Sequence, residues 1–118
     1  MTFKVNHVHL KTRDPEETAR FYVDTLGARI VGRAGDGGYR LELNGLALNI
    51  TDMLKHQTRE QKYGIEHIAI DTDELDALVE KLKARGINIL EQTVVSGGRR
   101  VCFFEGPDGV QLEFMEMK

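Results

Sequence analysis

Apolar and polar positions follow the same order in both halves of the chain. Each half opens with a run in which apolar and polar residues alternate, as in a half-buried strand. A helical pattern and three shorter strand-like runs follow it. The opening runs, residues 5–10 and 65–70, match at a constant offset of 60 residues. The closing runs, residues 46–50 and 110–114, match at an offset of 64, because a four-residue turn is inserted in the second half.

This repeat predicts an α+β fold of two tandem βαβββ modules within a single domain, residues 1–118. Module 1 covers residues 1–50, module 2 covers residues 64–118, and the polar stretch 51–63 links them. Two copies of one unit place equivalent residues around a shared axis. We therefore expect mixed sheets that curl around one cleft.

The two helices have clear start and stop signals. Asp14 and Pro15 are typical of an N-cap and a first helical residue, and Gly27 follows the last apolar position at helical spacing. The second helix is predicted to follow Thr72 and to end before Gly86. Three short strands are predicted after each helix, at residues 28–32, 39–43 and 46–50, and at residues 88–95, 100–104 and 110–115.

Side chains that can bind a metal fall on one face of the predicted strands. Successive side chains of a strand point to opposite faces, so Val8 and Leu10 face a helix while His7 and His9 face away from it. The same alternation applies to the first and last strands of module 2. The side chains predicted on the concave side are His7, His9, His67 and Glu113.

Two neutral imidazoles and one carboxylate form a ligand set for a divalent metal. With His7, His67 and Glu113 as ligands, several positions of an octahedral ion stay open for substrate, as in non-haem Fe(II) enzymes. Such an ion chelates two neighbouring substrate oxygens and stabilises the charge that develops on them. We expect one divalent ion per site, and ligand type alone does not choose among Fe2+, Mn2+, Ni2+, Co2+ and Zn2+. The competing interpretation is two hydrogen-bonded structural histidines and a solvated glutamate.

Two other residues on that face are candidates for the same chemistry. Asn49 occupies the position of module 1 that is symmetric to Glu113, so it is a candidate fourth-position ligand or substrate contact. His9 shares a face with His7. It is either an acid/base group beside the metal or a part of the cleft wall.

Three residues near the strand ends are candidate substrate contacts. Lys11 is either a contact for an anionic substrate or a solvated lysine. Tyr63 either bonds a substrate oxygen or packs at the entry of its strand. Alternation sends only one of the adjacent Arg99 and Arg100 inward, and Arg100 is taken as the candidate contact.

Composition excludes several classes of function. The chain has 16 basic and 19 acidic residues, and its net charge of −3 speaks against a nucleic-acid or anionic-membrane partner. No apolar run approaches the length of a membrane span, and the first residues lack the apolar core of a secretion signal. The single cysteine, Cys102, cannot form an internal disulfide, which favours a reducing compartment. We expect a soluble, cytoplasmic protein that acts on a small molecule.

The order and spacing of these motifs resemble the vicinal oxygen chelate superfamily, also called the glyoxalase/bleomycin-resistance/dioxygenase superfamily. The resemblance extends over essentially the whole chain. It is carried by residues 5–8, 14, 21–27, 65–70, 82–86 and 106–113. It implies paired βαβββ modules that enclose a metal site and, as in small members, a homodimer.

The resemblance also implies roles for individual residues. His7 and His67 match the histidine ligands that open each module, and Glu113 matches the carboxylate of the final strand. Asn49 stands where glyoxalase I enzymes carry a second glutamate, and an amide cannot act as a general base. We therefore favour Fe(II)- and O2-dependent dioxygenase chemistry with His9 as the proton shuttle.

The resemblance leaves three alternatives to dioxygenase chemistry. The first is a glyoxalase-like lyase or isomerase, in which Glu113 moves a proton through an enediolate. The second is a fosfomycin-type transferase with the same metal ligands. The third is a metal-free protein that binds an antibiotic or a metabolite.

Overall fold

The computed structural model describes residues 2–117 and divides into two compact units. The first unit consists of residues 7–66. The second unit consists of residues 67–117 together with residues 2–6. The elements follow the βαβββ order twice along the chain, which confirms the predicted architecture.

The limits of the elements are close to those predicted. The first set is β1 (Phe3–Lys11), α1 (Pro15–Leu26), β2 (Arg29–Gly32), β3 (Tyr39–Leu43) and β4 (Leu46–Thr51). The second set is β5 (Gly64–Thr72), α2 (Leu75–Ala84), β6 (Ile89–Val95), β7 (Arg99–Glu105) and β8 (Gln111–Glu116). Short 3-10 turns, Ser96–Gly98 and Pro107–Gly109, flank β7. The predicted limits of the strands after each helix differ from these by one residue at most.

The first helix begins and ends as its sequence predicts. Pro15 is its first residue, and the carboxylate of Asp14 accepts a hydrogen bond from the backbone N–H of Glu17 at 3.0 Å. Gly27 ends it in the left-handed conformation with φ 75°. Within residues 2–117, neither helix has the length and apolar character needed to cross a bilayer.

The first unit is a four-stranded sheet with α1 on one face. β1 runs parallel to β4, and the β4–β3 and β3–β2 pairs are antiparallel, so the order is β2-β3-β4-β1. Burying apolar side chains between helix and sheet stabilises this unit. The packed side chains are Val8, Leu10, Ala19, Tyr22, Ala28, Tyr39, Leu41, Leu43, Leu48 and Ile50. His7 and His9 point to the opposite face, here called the inner face of the unit.

The second unit repeats this sheet with the order β5-β8-β7-β6 and α2 on one face. Its helix-side core consists of Leu75, Leu78, Val79, Leu82, Cys102, Phe104 and Phe114. The opposite face, the inner face of this unit, carries a separate apolar cluster of Ala69, Val101, Phe103 and Met115. Residues 2–6 belong to this unit, and the ring of Phe3 stacks on that of Phe114 with centroids 6.0 Å apart.

The linker between the predicted modules is fixed to the first unit by a buried ion pair. Arg59 Nη2 and Glu66 Oε1 are 2.6 Å apart, and their side chains are 1% and 0% exposed. Arg59 Nη1 also donates to Gln57 Oε1 at 2.6 Å, and the N–H of Lys62 donates to Glu66 Oε2 at 3.3 Å. These extra hydrogen bonds offset the cost of removing both charges from water.

Candidate metal centre

In the first unit, the two histidines of β1 lie side by side on the inner face. Both side chains are buried, with His7 6% and His9 8% exposed. Their ring centroids are 5.8 Å apart, and each offers a ring nitrogen within 4.8 Å of the other. Both histidines therefore lie on the face of β1 opposite Val8 and Leu10. The alternation of a strand accounts for it.

The last residue of β4 holds the ring of His9. His9 Nε2 and the hydroxyl of Thr51 are 2.8 Å apart in buried surroundings. A hydroxyl both donates and accepts, so this bond suits either protonation state of that nitrogen. Asn49 is the register partner of His9 in the β1–β4 pair, which places it on the inner face, half-buried. Thr51 was not among the predicted site residues.

Lys11 is not the solvated lysine that one interpretation of the sequence expected. Its side chain is fully buried at 0% exposure, and Nζ donates to the backbone carbonyl of Asp52 at 3.5 Å. Burial follows from position, because Lys11 continues the alternation of His7 and His9 on the inner face. The long aliphatic stem packs in the protein and carries the charged end to a carbonyl.

Tyr63 lies at the surface of the first unit in a small polar cluster. Its side chain is 43% exposed, its hydroxyl donates to Asp52 Oδ1 at 2.9 Å, and Arg13 stacks on its ring at 4.2 Å. The hydrogen bond to Asp52 raises the pKa of Tyr63. Hydrogen bonds from the Met53 N–H, first, and from Tyr63 lower the pKa of Asp52. Asp52 was also missed from sequence, since it lies just after β4.

In the second unit, the predicted imidazole and carboxylate are in contact. His67 Nε2 and Glu113 Oε1 are 3.3 Å apart, and their side chains are 3% and 4% exposed. The ring of Phe103 stands edge-on to that of His67 with centroids 5.2 Å apart. This aromatic contact, on the apolar part of the inner face, limits how the imidazole can turn.

The spacing of these donor atoms fits a divalent metal. Two ligand atoms bound about 2.1 Å from one ion at a right angle are about 3 Å apart, close to the 3.3 Å between His67 Nε2 and Glu113 Oε1. Strand-mounted ligands on a stiff scaffold hold such a geometry well. When Nε2 carries a proton, the same spacing is a hydrogen bond, which is the structural alternative.

The two adjacent arginines of β7 lie on opposite faces of the second unit. Arg100 is on the helix side, where it bonds Asp76 of α2 at 2.9 Å and Glu116 of β8 at 2.6 Å. These two carboxylates raise the pKa of Arg100 above its ordinary value. Arg99 is on the inner face with Asp71 at 3.5 Å. The structure thus places Arg100 away from the face of His67, so the expected substrate contact of Arg100 on that face is wrong.

Cys102 is buried in the core of the second unit. The residue is 0% exposed on β7, and burial raises the pKa of its thiol. A thiol that is buried and protonated is a poor nucleophile. Cys102 therefore belongs to the packing of the fold.

The paired βαβββ units, with imidazoles and a carboxylate on inner faces, define the class of glyoxalase-like proteins. Residues 4–114 match the family described as the Glyoxalase/Bleomycin resistance protein/Dioxygenase superfamily. The chain belongs to that superfamily, and the resemblance and the fold expected from sequence are confirmed.

Individual relatives match along nearly their whole length. A lactoylglutathione lyase of Haemophilus influenzae is 27% identical over 126 residues, which cover 98% of this chain and 93% of that protein. The uncharacterized protein YwkD of Bacillus subtilis is 31% identical over 122 residues, with 95% of each chain covered. Among solved structures, the hypothetical protein BH1468 of Bacillus halodurans is similar in fold. Its TM-score is 0.80 at 21% identity, over 100% of this chain and 96% of that one.

Proposed function

We propose that this protein is a divalent-metal-dependent enzyme with His7, His67 and Glu113 as its ligands. Its substrate is a small molecule with two adjacent oxygens. The observation that carries this proposal is the buried contact of 3.3 Å between His67 Nε2 and Glu113 Oε1. Burying a carboxylate costs free energy unless its charge is compensated, and a metal ion bound by Glu113 and His67 would compensate it.

The metal would supply electrophilic polarisation of the substrate oxygens. The residues around the metal ligands would orient the imidazoles. Phe103 holds the imidazole of His67 in place. Thr51 orients His9, the neighbour of the proposed ligand His7.

The reaction that we propose is a proton transfer of the lyase or isomerase type. The lactoylglutathione lyase that matches 98% of this chain supports this class. Asn49 cannot remove a proton, so the base is Glu113, with His9 as the second acid/base group. The Glu113 carboxylate removes the proton next to the carbonyl, and a protonated His9 imidazole donates its own proton to the neighbouring atom. Transfer of the abstracted proton from Glu113 to His9 through solvent then restores both groups.

Fe(II)- and O2-dependent chemistry is the second candidate. The set of His7, His67 and Glu113 is the two-histidine, one-carboxylate arrangement that leaves positions open for both substrate and dioxygen. The neutral amide of Asn49 favours this candidate as well. His9 would then serve as the proton shuttle.

Metal binding is tested first, by elemental analysis of protein reconstituted with Fe2+, Mn2+, Ni2+ or Zn2+ and then dialysed. We expect about one ion per chain in the wild type and less than about a tenth of that in His67→Ala and Glu113→Ala, because each removes a ligand. His56→Ala, a change in an exposed linker histidine, is the matched control and should keep its metal. Retention of the ion by both His7→Ala and His67→Ala would contradict the proposal.

Turnover then separates the two chemistries. The metal-loaded protein is incubated with the hemithioacetal of methylglyoxal and glutathione without O2, and separately with a catechol panel under an oxygen electrode. Anaerobic turnover that Glu113→Gln lowers by about 10²–10⁴-fold supports proton transfer, since this is the usual contribution of a general base. Metal-dependent oxygen uptake without anaerobic turnover would establish the second candidate instead.

We further propose that the enzyme is a homodimer. Mixing inactive His7→Ala and His67→Ala chains tests whether each metal site draws its ligands from one chain or two. Recovery of metal binding and activity in the mixture indicates sites shared between chains. Light scattering that gives a monomer mass for the wild type would refute the dimer.

A further inference from the structure

Arg99 is the first residue of β7 and places a positive charge on the inner face of the second unit. Strand alternation puts Arg99 on the same side of β7 as Val101 and Phe103, both of which belong to the inner apolar cluster. Phe103 contacts the ring of His67 on that same face. The guanidinium of Arg99 and the proposed metal ligands of this unit therefore share one surface.

The side chain of Arg99 makes a single long contact with a carboxylate. Its Nη1 lies 3.5 Å from Asp71 Oδ1, and within residues 2–117 this is the only hydrogen bond or ion pair of that side chain. Both oxygens of Asp71 also lie 3.1 Å from the amide nitrogen of Asn6. Asp71 is thus fixed by an amide and positions Arg99, whose side chain remains 31% exposed.

The neighbouring Arg100 shows what a structural arginine looks like in this sheet. Its Nε and Nη2 bind Glu116 at 3.1 and 2.6 Å, and Nη1 and Nη2 bind Asp76 at 2.9 and 3.2 Å. All of its nitrogens are engaged. Arg99 uses one long contact, which leaves most of its planar fork of N–H groups available for an oxyanion.

We infer that Arg99 forms an oxyanion subsite, which binds a carboxylate or phosphate at the far end of the substrate from its adjacent oxygens. This inference rests on the proposed function, since it takes His67 and Glu113 as metal ligands. Asp71 follows His67 by four residues on β5, a separation of about 13 Å at the rise of a strand. The substrate is therefore an elongated anion, because a compact diketone or catechol does not reach both ends.

The test uses two metal-chelating probes of equal chain length. Suberic acid monohydroxamate has a hydroxamate at one end and a carboxylate at the other, whereas octanohydroxamic acid has the hydroxamate alone. Their dissociation constants are measured by titration calorimetry on Zn2+-loaded wild type, Arg99→Met and Arg100→Met. A third probe, an ω-phosphate hydroxamate of the same length, distinguishes the two anions.

We expect the wild type to bind the carboxylate probe about tenfold more tightly than octanohydroxamic acid, the effect of one charge-assisted hydrogen bond. Arg99→Met should lose this preference, Arg100→Met should keep it, and high salt should reduce it. Arg99→Lys, which keeps the charge without the fork, should retain part of the preference and provides a second test if Arg99→Met folds poorly.

Two results would overturn the inference while leaving the proposed function intact. One is equal binding of all probes by the wild type, and the other is a preference that persists in Arg99→Met. If neither hydroxamate binds the metal-loaded protein more tightly than the metal-free protein, the proposed function fails and this inference fails with it.

Discussion

The two units share a βαβββ arrangement but place different side chains on equivalent inner-face positions. Each carries a histidine near the start of its first long strand, His7 in one and His67 in the other. Two residues further on, the first unit has a second buried histidine, His9, where the second unit has the fully buried Ala69. Beyond these, the fully buried Lys11 corresponds to Asp71.

This comparison separates the features that come from the repeated scaffold from those that are specific to one unit. The first-strand histidine occurs in both units, so it follows from the repeat. The carboxylate of the last strand occurs only as Glu113, because the first unit has Asn49 at the matching position. On these inner-face positions the first unit has His7, His9 and Lys11, and the second unit has His67, Asp71 and Glu113.

The largest predicted effect contrasts the arginines of the two units. Arg59→Met leaves Glu66 as an uncompensated buried charge and should lower the free energy of unfolding by about 3–5 kcal/mol. Arg100→Met removes a guanidinium from an exposed network and should cost a small fraction of that. Urea denaturation followed by circular dichroism measures both. Equal losses in the two variants would show that the burial of Arg59 has no energetic consequence.

The next effect concerns two adjacent glycines before β3. A Cβ at Gly38 would lie 2.0 Å from the carbonyl of Ala34 and 2.7 Å from that of Ile50, so Gly38→Ala must displace backbone. We expect Gly38→Ala to lower the free energy of unfolding by about 3 kcal/mol or more, at the upper end of the usual cost of overpacking. A Cβ at Gly37 would have no atom within 4 Å, so the only cost of Gly37→Ala is the strain of an alanine at a φ of +73°. It should cost about 1 kcal/mol. A thermal melt that ranks the two in the opposite order would contradict the expected crowding.

A third substitution makes the two units more alike. Asn49→Glu gives the first unit the carboxylate that Glu113 provides in the second. We expect metal affinity to rise about tenfold through one added anionic donor. Competition with a chelator of known affinity measures the change, and Asn49→Gln is the control that lengthens the side chain without a charge. A Glu variant that binds metal no better than the Gln variant would exclude position 49 from the coordination sphere.

The smallest effect is a difference in acid sensitivity between two exposed carboxylates. The pKa of Asp52 is lowered mainly by the backbone N–H of Met53, and that of Asp76 by the guanidinium of Arg100. Each carboxylate therefore stabilises the fold at pH values above its ordinary pKa. This stabilisation is lost as the pH falls through the lowered pKa of the folded protein. High salt should weaken the shift of Asp76 more than that of Asp52, because it screens exposed charge pairs. NMR titration of both carboxyl carbons measures this, and equal salt dependence would contradict it.

Local signals in the sequence were sufficient for the elements and for the orientation of the histidines. The caps at Asp14 and Gly27 gave the limits of α1 because they act through adjacent backbone groups. Alternation placed His7 and His9 on one face, since a strand has a fixed period of two. The same rule put His67 and Glu113 on one face, but their contact also depends on the register of β5 and β8, in which Glu113 pairs with Ala69.

Some features of the site were missed although strand alternation implied them, and contacts made in irregular segments have no periodic signal. Thr51 would have been found had β4 been extended by one residue, because it shares a face with Asn49. The burial of Lys11 was also implied by its face, but the usual exposure of lysine favoured the opposite expectation. The pairing of Arg59 with Glu66 has no periodic signal, because an irregular linker brings them together.

The sequence repeat and the compact units do not share the same boundaries. Residues 2–6 pack with the last half of the chain, where Phe3 stacks on Phe114 and Asn6 bonds Asp71. A gene fragment that encodes only residues 64–118 would therefore lack part of its own core. Split-protein or circularly permuted designs based on this scaffold would have to transfer that leading segment to the C-terminal fragment, where its aromatic ring and its amide belong.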